Sequence, residues 1–569
     1  MFLYLIMATW KIKAPDPSLV FHLVKEFKTS EIIARVLANR DIESLESSRS
    51  FFDPKLSHLH DPFLMKNMDI AAGMVAEKVK SGGRIFIFGD YDVDGTTGSS
   101  ALFLFLTSLE CDAKVYIPDR MKEGYGLSRE GIDVAKDWGA DLLISCDCGI
   151  NATDEVAYAN DQNLEVIITD HHMPDENLPE ATAILNPKQS DCSYPFKGLC
   201  GGAVIFKLIQ AVSQLLELDD DLAHQYIDLI TLGTAADIVP LTDENRIIVK
   251  HGLKSLTNTK RPGLRALLEV SGLGEKELTV GRLLFFVAPR INAAGRLGDA
   301  IRAVQLMSTE NLSESLKLAQ ELHEENRQRQ DIQQSMVNEA IMKVNAEVDL
   351  EKEKAIVLWD DNWHEGVIGI VASKIKETYH RPAVIISLSN GTGKGSARSV
   401  KGFDLYENLT ECRELLDDYG GHPMAAGLTI NRENLDDFRS QFSTLAGKTL
   451  ADDDLVNSLD IEGEMDLNLI DSRFMDFLEK LAPFGPGNMT PKFITRHVTP
   501  AGNPRLVGNG DHIKFRAKQG ETSYDAIGFN MGKHYEKLIT GKFIDIAYVV
   551  EKNEWQGTTS IQLNIRDIK

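Results

Sequence analysis

Cysteine is scarce in this chain: 569 residues contain six, Cys111, Cys146, Cys148, Cys192, Cys200 and Cys412. They show no paired zinc spacing, and so few cannot staple a chain of this length. A disulfide scaffold and a zinc module are therefore not expected. Buried, inert thiols in a reducing cytoplasm are. Long apolar runs are also missing. No stretch reaches the roughly 18 apolar residues that a membrane helix needs, so no membrane association is expected. The apolar start Met1-Phe-Leu-Tyr-Leu-Ile-Met7 lacks a basic leader and a cleavage pattern. It is a poor signal peptide, and Met7 could serve as the first residue. Positive charge is in deficit: 61 Lys and Arg against 85 Asp and Glu give −24. This excludes a wholly basic nucleic-acid clamp, but not local basic patches. Internal repeats and low-complexity tracts are absent. No Walker A pattern exists, since Gly393-Lys394 is followed by Gly395 and lacks the upstream glycine. His364-Glu365 does not continue into a zinc-protease motif.

What is present reads as α/β. The chain exceeds what one core serves, so about three domains are expected. Apolar runs at 84–89, 113–118, 141–146, 165–169 and 181–185 alternate with helical stretches. Thr96-Thr97 predicts the cap of a helix over 98–110. Ser128 predicts the cap of another over 129–138, stopped by Gly139. Such spacing favours right-handed crossovers and a parallel sheet. Helices are expected over Gly201–Leu216 and Leu222–Ala236, and a strongly polar one over 305–347 that bridges domains. A second α/β unit follows. It has strands Ala355–Trp359 and Ala383–Ile386 flanking a helix over 366–379, a glycine-rich stretch Gly393–Ser399, a helix near 404–416, then Gly420-Gly421-His422. Beyond about residue 455 the period becomes two. Ile513, Phe515 and Ala517 alternate with Lys514, Arg516 and Lys518; Ile561, Leu563 and Ile565 alternate with Gln562, Asn564 and Arg566. Half-buried strands of a small β-barrel are expected there.

The chemistry concentrates at strand ends. Asp90-Tyr-Asp92-Val-Asp94-Gly95 directly follows the apolar run from Arg84 to Phe88. Three carboxylates at alternate positions repel one another, and a divalent cation is the usual way to make that tolerable. Asp147 and Asp170 end two further runs, and Asp170 begins Asp-His171-His172. Ligands of open parallel sheets bind beyond the carboxyl ends of the strands, where these acids would converge. One such acid alone would favour a helix cap or loop acid; several with a His-His pair reverse that. Oxygen ligands with an imidazole suit Mn²⁺ or Mg²⁺, and two such ions can clamp an in-line phosphoryl displacement. The expected helix ending at Ala236 places another carboxylate, Asp237, just after it.

At this point the motifs are recognisable. Gly89-Asp-Tyr-Asp-Val-Asp-Gly95, Ser145-Cys-Asp-Cys-Gly149, Thr169-Asp-His-His172 and Ala236-Asp237 resemble the ordered motifs of the DHH phosphoesterase superfamily. Gly420-Gly-His422 resembles its companion DHHA1 domain. Gly124-Tyr-Gly-Leu127, Arg290-Ile-Asn-Ala-Ala-Gly-Arg296 and Leu481-Ala-Pro-Phe-Gly-Pro-Gly-Asn488 narrow the resemblance to the branch of single-strand-specific 5′→3′ DNA exonucleases. It covers roughly residues 15–569. It implies an N-terminal helical extension (1–75), a DHH catalytic domain (76–304), a connecting helix (305–350), a DHHA1 domain (351–450) and an OB-fold barrel (455–569).

The resemblance also implies roles. Asp94, Asp147, His171 and Asp237 would hold one ion; Asp90, Asp92 and the shared Asp147 would hold the other. His172 would touch the scissile phosphate or support the ligands, and Asp170 would orient a neighbouring His. Water would be the nucleophile, with no covalent enzyme intermediate. Phe88 stands where some relatives place a His that binds the second metal. Arg296, Ser396, Arg398 and His422 would grip substrate, with Arg120 and Arg290 as further candidates. For Arg120 an ion pair with Asp119 or Glu123 is an equal reading. Lys514, Arg516 and Lys518 would track a single-stranded DNA backbone, a solvated strand face being the alternative. A single-strand-binding protein and a helicase are the implied partners. Two rival functions compete: a phosphodiesterase for short oligonucleotides or cyclic dinucleotides, against which residues 455–569 weigh, and a non-catalytic replication scaffold, against which the complete set of acids weighs.

Overall fold

Apolar runs of five or six residues need cover on both faces, which a parallel sheet with crossover helices provides. The computed structural model describes residues 8–120, 122–555 and 558–569; the segment Met1–Met7 lies outside them. The chain divides into two compact units: Arg49–Asp331 with Ala482–Met489, and Met1–Ser48 with Ile332–Leu481 and Thr490–Lys569.

In the first unit, strands β1 (Arg84–Gly89), β2 (Asp112–Tyr116), β3 (Leu142–Cys146), β4 (Glu165–Thr169) and β5 (Ala183–Leu185) form one parallel sheet in the order β2-β1-β3-β4-β5. Ile85 and Ile87 face one core; Phe86 and Phe88 face the other. Phe88 is fully buried with its ring tilted against Tyr116, at 5.3 Å between centroids, so it serves as core packing. Helix α1 (Val93–Ser108) follows β1, α2 (Arg129–Trp138) follows β2, and α3 (Thr153–Asp161) follows β3. Ser128 caps α2 through the Gly131 amide, and Gly139 ends it at φ 80°, as expected. Helices α4 (Gly201–Leu215), α5 (Ile227–Ala236) and α6 (Asp243–Thr257) complete the cover of one face.

Three expectations need correction. α1 begins at Val93, not near 98, because the Asp92 carboxylate takes the Asp94 and Gly95 amides and outcompetes the threonines as cap. Thr96 and Thr97 lie inside the helix and donate back to the Asp92 and Val93 carbonyls. The expected helix over 222–236 is two, Asp220–His224 and α5. The polar helix over 305–347 is also two, Ile301–Ser308 and α7 (Leu312–Glu347), because Asn311 caps a fresh start through the Ser313 and Glu314 amides.

In the second unit, β6 (Ile356–Asp360), helix α8 (Ile368–Tyr379), β7 (Ala383–Ser389), β8 (Thr392–Arg398), β9 (Asp418–His422) and β10 (Ala425–Asn431) build a sheet ordered β9-β10-β8-β7-β6. Only β6 and β7 run parallel. The expected helix near 404–416 is Leu405–Glu411 followed by a 3-10 turn. A closed five-stranded barrel follows: β11 (Phe493–Val507), β12 (His512–Gln519), β13 (Thr522–Gly528), β14 (Ile544–Trp555) and β15 (Thr558–Ile568). Its order is β11-β12-β13-β15-β14, closed by β14 on β11. β12 alternates as expected, with Ile513, Phe515 and Ala517 buried. β15 does not: Gln562 and Asn564 are buried too, because that strand is flanked by β13 and β14 and Asn564 donates to Glu551.

Among the described residues no helix is long and apolar enough to cross a membrane. All six cysteines are buried and unpaired.

Candidate metal centre

The parallel register places the acids. The Asp90 amide donates to the Cys146 carbonyl (3.1 Å), that of Asp147 to Thr169 (3.0 Å), and that of Asp170 to Leu185 (3.0 Å). Each acid thus sits one residue beyond its strand, laced to the end of the neighbouring strand, and the three form a row along the carboxyl edge. Asp147 turns away at φ 65°, a left-handed conformation that few non-glycine residues adopt. Its carbonyl is held there by the Tyr125 hydroxyl at 3.1 Å.

Two histidines and Asp237 join this row. His171 Nε2 lies 3.2 Å from Asp147 Oδ1 and 3.5 Å from Asp237 Oδ2. Three groups have ligand atoms mutually within 4.8 Å: Asp147, His171 and His172; Asp94, His171 and Asp237; Asp90, Asp92 and Asp147. Every residue expected to hold a metal occurs in at least one group, and Asp147 occurs in two.

Several ligand atoms are buried without a hydrogen-bond partner: Asp90 Oδ1, Asp147 Oδ1, Asp237 Oδ2 and both ring nitrogens of His171. Orphaned polar atoms are costly and rare, and here they are clustered and like-charged. Burial pushes Asp90 and Asp147 well above the carboxylate range, reinforced by the neighbouring acids. The same causes raise Asp94 to about 6 and Asp237 to about 9. Burial lowers His171 to about 3, so its imidazole is neutral. A donor set of hard oxygens with one neutral imidazole, several of its atoms lacking partners, fits divalent cations such as Mn²⁺ or Mg²⁺.

Asp170 differs from the other acids. Burial would raise it, but His172 Nδ1 at 2.7 Å and the amides of His172 and Ile150 hold it below the ordinary range. Burial opposes charge on His172 in turn, yet the Asp170 bond and charge raise its pKa. Asp170 therefore orients His172, and Tyr125 Oη sits 3.2 Å from the same Nδ1.

One element was not anticipated. The Gly201 and Gly202 amides, at the start of α4, grip Asp94 Oδ2 at 2.6 Å and Oδ1 at 3.1 Å. A Cβ on Gly201 would lie 2.4 Å from Asp147 Oδ1, and one on Gly202 2.9 Å from Asp94 Oδ1. The only trace in sequence is the Gly-Gly pair opening an apolar helix. Gly201→Ala is expected to weaken Mn²⁺ binding about 10- to 100-fold, the range typical of groups that orient ligands. A Mn²⁺ titration checks it against Gly73→Ala, where the added Cβ meets nothing within 4 Å.

The raised acids predict a pH signature. Asp94 and Asp237, at about 6 and about 9, bind protons more tightly folded than unfolded. Their contribution to stability is fully present below the unfolded carboxylate pKa and is lost as pH rises through those values. In EDTA this contribution to the melting temperature should fall away between about pH 4 and 9. Mn²⁺ should abolish that decline, because the cation takes the place of the protons.

Of the other expected residues in this unit, Arg120 lays its guanidinium over the Tyr91 ring at 4.9 Å. Lys122 takes Asp119, and Tyr116 and Ser128 take Glu123. Arg120 and Arg296 both place positive charge beside Tyr91. Arg290 is committed to the carbonyls of Val270 and Phe286 and to His323.

In the second unit, register aligns the candidates. Arg398 pairs with Ala425 and Ala425 with His422; Ser396 pairs with Gly427 and Gly427 with Gly420. Directly paired residues share a sheet face, so Ser396, Arg398 and His422 stand on one face with only Ala425, Gly427 and Gly420 between them. The Arg398 guanidinium donates to Ser396 Oγ at 3.1 Å. Gly369, in the first turn of α8, approaches so closely that an added Cβ would lie 3.0 Å from Ser396 Oγ and 3.1 Å from Arg398 Nη2. On the barrel, Lys514, Arg516 and Lys518 share the outer face of β12. A bulge in β11 sets Arg505 opposite Lys514, which spacing could not reveal.

Comparison with known proteins agrees with this layout. Residues 84–234 match the DHH family N-terminal domain, 352–448 the DHHA1 domain and 461–567 the RecJ OB domain. The single-stranded-DNA-specific exonuclease RecJ of Bacillus subtilis is 38% identical over 563 residues, covering 98% of this chain and 70% of that protein. The Salmonella typhimurium protein of the same name is 35% identical, covering 89% and 90%. The Mn²⁺ complex of Thermus thermophilus RecJ superposes with a TM-score of 0.84 at 29% identity, covering 99% of this chain and 79% of that one. A RecJ exonuclease bound to manganese gives 0.61 at 35% identity, covering 70% and 97%. With catalytic, DHHA1 and OB segments all matched in order, the chain belongs to the RecJ family of single-stranded-DNA-specific exonucleases.

Proposed function

We propose that the protein is a divalent-metal-dependent exonuclease that degrades single-stranded DNA from the 5′ end to mononucleotides, in repair and recombination. The observation that carries this reading is the cluster of acids with His171 at the sheet edge, in which Asp90, Asp147, Asp237 and His171 leave buried ligand atoms without partners, in a chain that also bears the RecJ OB domain. Asp94, His171 and Asp237 would hold one cation, and Asp90 and Asp92 the other, with Asp147 between them. Bound there, divalent cations would supply Lewis-acid polarisation of a phosphodiester and a lowered pKa for an attacking water. The protein's own groups do the rest. His172, held by Asp170 and carrying a proton more readily than an ordinary imidazole, donates a hydrogen bond to the scissile phosphate. Gly201 and Gly202 keep Asp94 aimed at the centre.

Polarity would come from recognition of a terminal phosphate. Ser396, Arg398 and His422 present hydroxyl, guanidinium and imidazole on one sheet face, and the start of α8 adds amide dipole. Arg296 and Arg120 are further phosphate donors. The outer face of β12, with Lys514, Arg516, Lys518 and Arg505, supplies an electrostatic track for the strand. Buried unpaired thiols suit a reducing cytoplasm.

Digestion of long single strands labelled at the 5′ or the 3′ end, with and without Mn²⁺, tests the reading. Early release of the 5′ label as a mononucleotide, only with metal, is expected. Intact long strands would indicate an enzyme for short oligonucleotides, and early release of the 3′ label would reverse the polarity. Gly369→Val should specifically weaken use of 5′-phosphorylated strands, because its side chain would fill the space against Ser396 and Arg398.

A further inference from the structure

The motif from Ala482 to Asn488 takes no part in the chemistry above, yet it packs with the catalytic unit rather than with the sequence on either side of it. It forms a tight turn, with Gly485 and Asn488 exchanging backbone hydrogen bonds at 3.1 and 2.9 Å and the Asn488 side chain donating to the Pro483 carbonyl at 2.9 Å. The Pro486 carbonyl accepts the Leu241 amide at 2.7 Å. Leu241 lies four residues beyond Asp237. Gly485 lies so near Leu241 that a Cβ would come within 2.6 Å of its Cδ1.

Helix α6 closes the clasp from the other side. Arg246 is buried and donates to the carbonyls of Ala482 (3.0 Å), Pro483 (3.3 Å) and Phe51 (2.9 Å). Its neighbour Asn245 is fully buried, and one amide nitrogen donates to both Pro240 (3.0 Å) and Gly198 (2.6 Å). Pro240 follows Asp237 by three residues; Gly198 precedes the Gly201 amide by three. A single side chain thus ties the loop that presents Asp237 to the loop that presents the grip on Asp94.

The tied segment is strained. Ile238, directly after Asp237, has φ 60° and is 57% exposed. A β-branched residue in that region is a genuine outlier and persists only where its surroundings enforce it. The enforcing contacts visible here are Pro486 on Leu241 and Asn245 on Pro240. Without them the chain after α5 would relax, and Asp237 would rotate out of the cluster.

We propose that the turn 482–489, acting with Asn245, is a positioning clasp that sets Asp237 against His171 and so fixes metal affinity. This rests on the metal reading above. Asn245→Ala removes both amide donations; Gly485→Val drives Leu241 from the Pro486 carbonyl. Leu256→Ala is the control for stability alone: it leaves a cavity in the same core near the far end of helix α6, eleven residues beyond Asn245.

The measurement is Mn²⁺ affinity of the full chain, from the paramagnetic resonance signal of free Mn²⁺, with melting temperature in EDTA recorded in parallel. Both clasp variants should bind Mn²⁺ about 10- to 100-fold more weakly. At saturating Mn²⁺ their KM for single strands should be unchanged. Leu256→Ala should melt earlier yet bind Mn²⁺ as the unaltered protein does. Should Gly485→Val fail to fold, Gly485→Ala decides. Affinity within twofold of normal in folded clasp variants would overturn the inference and leave the metal reading intact, as would an equal loss in Leu256→Ala. No Mn²⁺ binding by the unaltered chain would sink both.

Discussion

Asp147→Asn should lower exonuclease activity by at least about a hundredfold, beyond the range seen when a mere orienting partner is removed, while single-strand binding stays near normal. Asp147 belongs to both the group with His171 and His172 and the group with Asp90 and Asp92. Losing its charge therefore weakens both cation positions at once. Asparagine keeps the shape and tolerates φ 65°. A second effect has the opposite sign. Asp147 is buried, its Oδ1 lacks a partner, and burial with neighbouring acids holds its pKa far up. Its removal should raise the melting temperature of the metal-free protein. Activity lost with stability gained is the signature of an acid kept for a cation rather than for the fold. Near-normal cleavage by Asp147→Asn would defeat the assignment.

Arg398→Ala should cost roughly 10- to 100-fold on 5′-phosphorylated strands, the equivalent of one or two hydrogen bonds to a charged group. Strands ending in a 5′-hydroxyl should be far less affected. The basis is the shared face of Ser396, Arg398 and His422, paved with glycine and alanine so that a phosphate can approach backbone. Arg398→Lys should rescue only in part, because an ammonium supplies charge without the planar fork. The readout is kcat/KM on the two substrates. Equal loss on both would remove Arg398 from phosphate recognition and leave it a structural residue of β8.

Much of this arrangement is legible in the sequence. Strand-ending acids announce a site in a parallel sheet, because such strands are buried and their carboxyl ends open. Asp90, Asp147 and Asp170 could be read that way from local sequence. Asp237 is harder: it follows a helix, not a strand, so local sequence offers a carboxylate there and only the motif resemblance gives it a metal. Ser128 and Gly139 were correctly read as the two ends of α2 because capping is a local property. Thr96 and Thr97 misled for the same reason: locally they are good caps, but the preceding Asp92 is a better one. Gln562 and Asn564 were read as outward because alternation counts residue type, whereas their burial depends on the strands placed on either side.

By itself the sequence determined the class of chemistry. Several carboxylates and a His-His pair gathered at the ends of apolar runs point to hard cations, since charge repulsion is a property of the residues wherever they lie. What tertiary structure alone decided is how those groups are held. The amides that grip Asp94 come from residues 107 and 108 positions away. The carbonyl that steadies the Asp237 turn comes from Pro486, hundreds of residues further along. Backbone amides and carbonyls are identical at every position, so no spacing or composition distinguishes the few that act; only packing selects them.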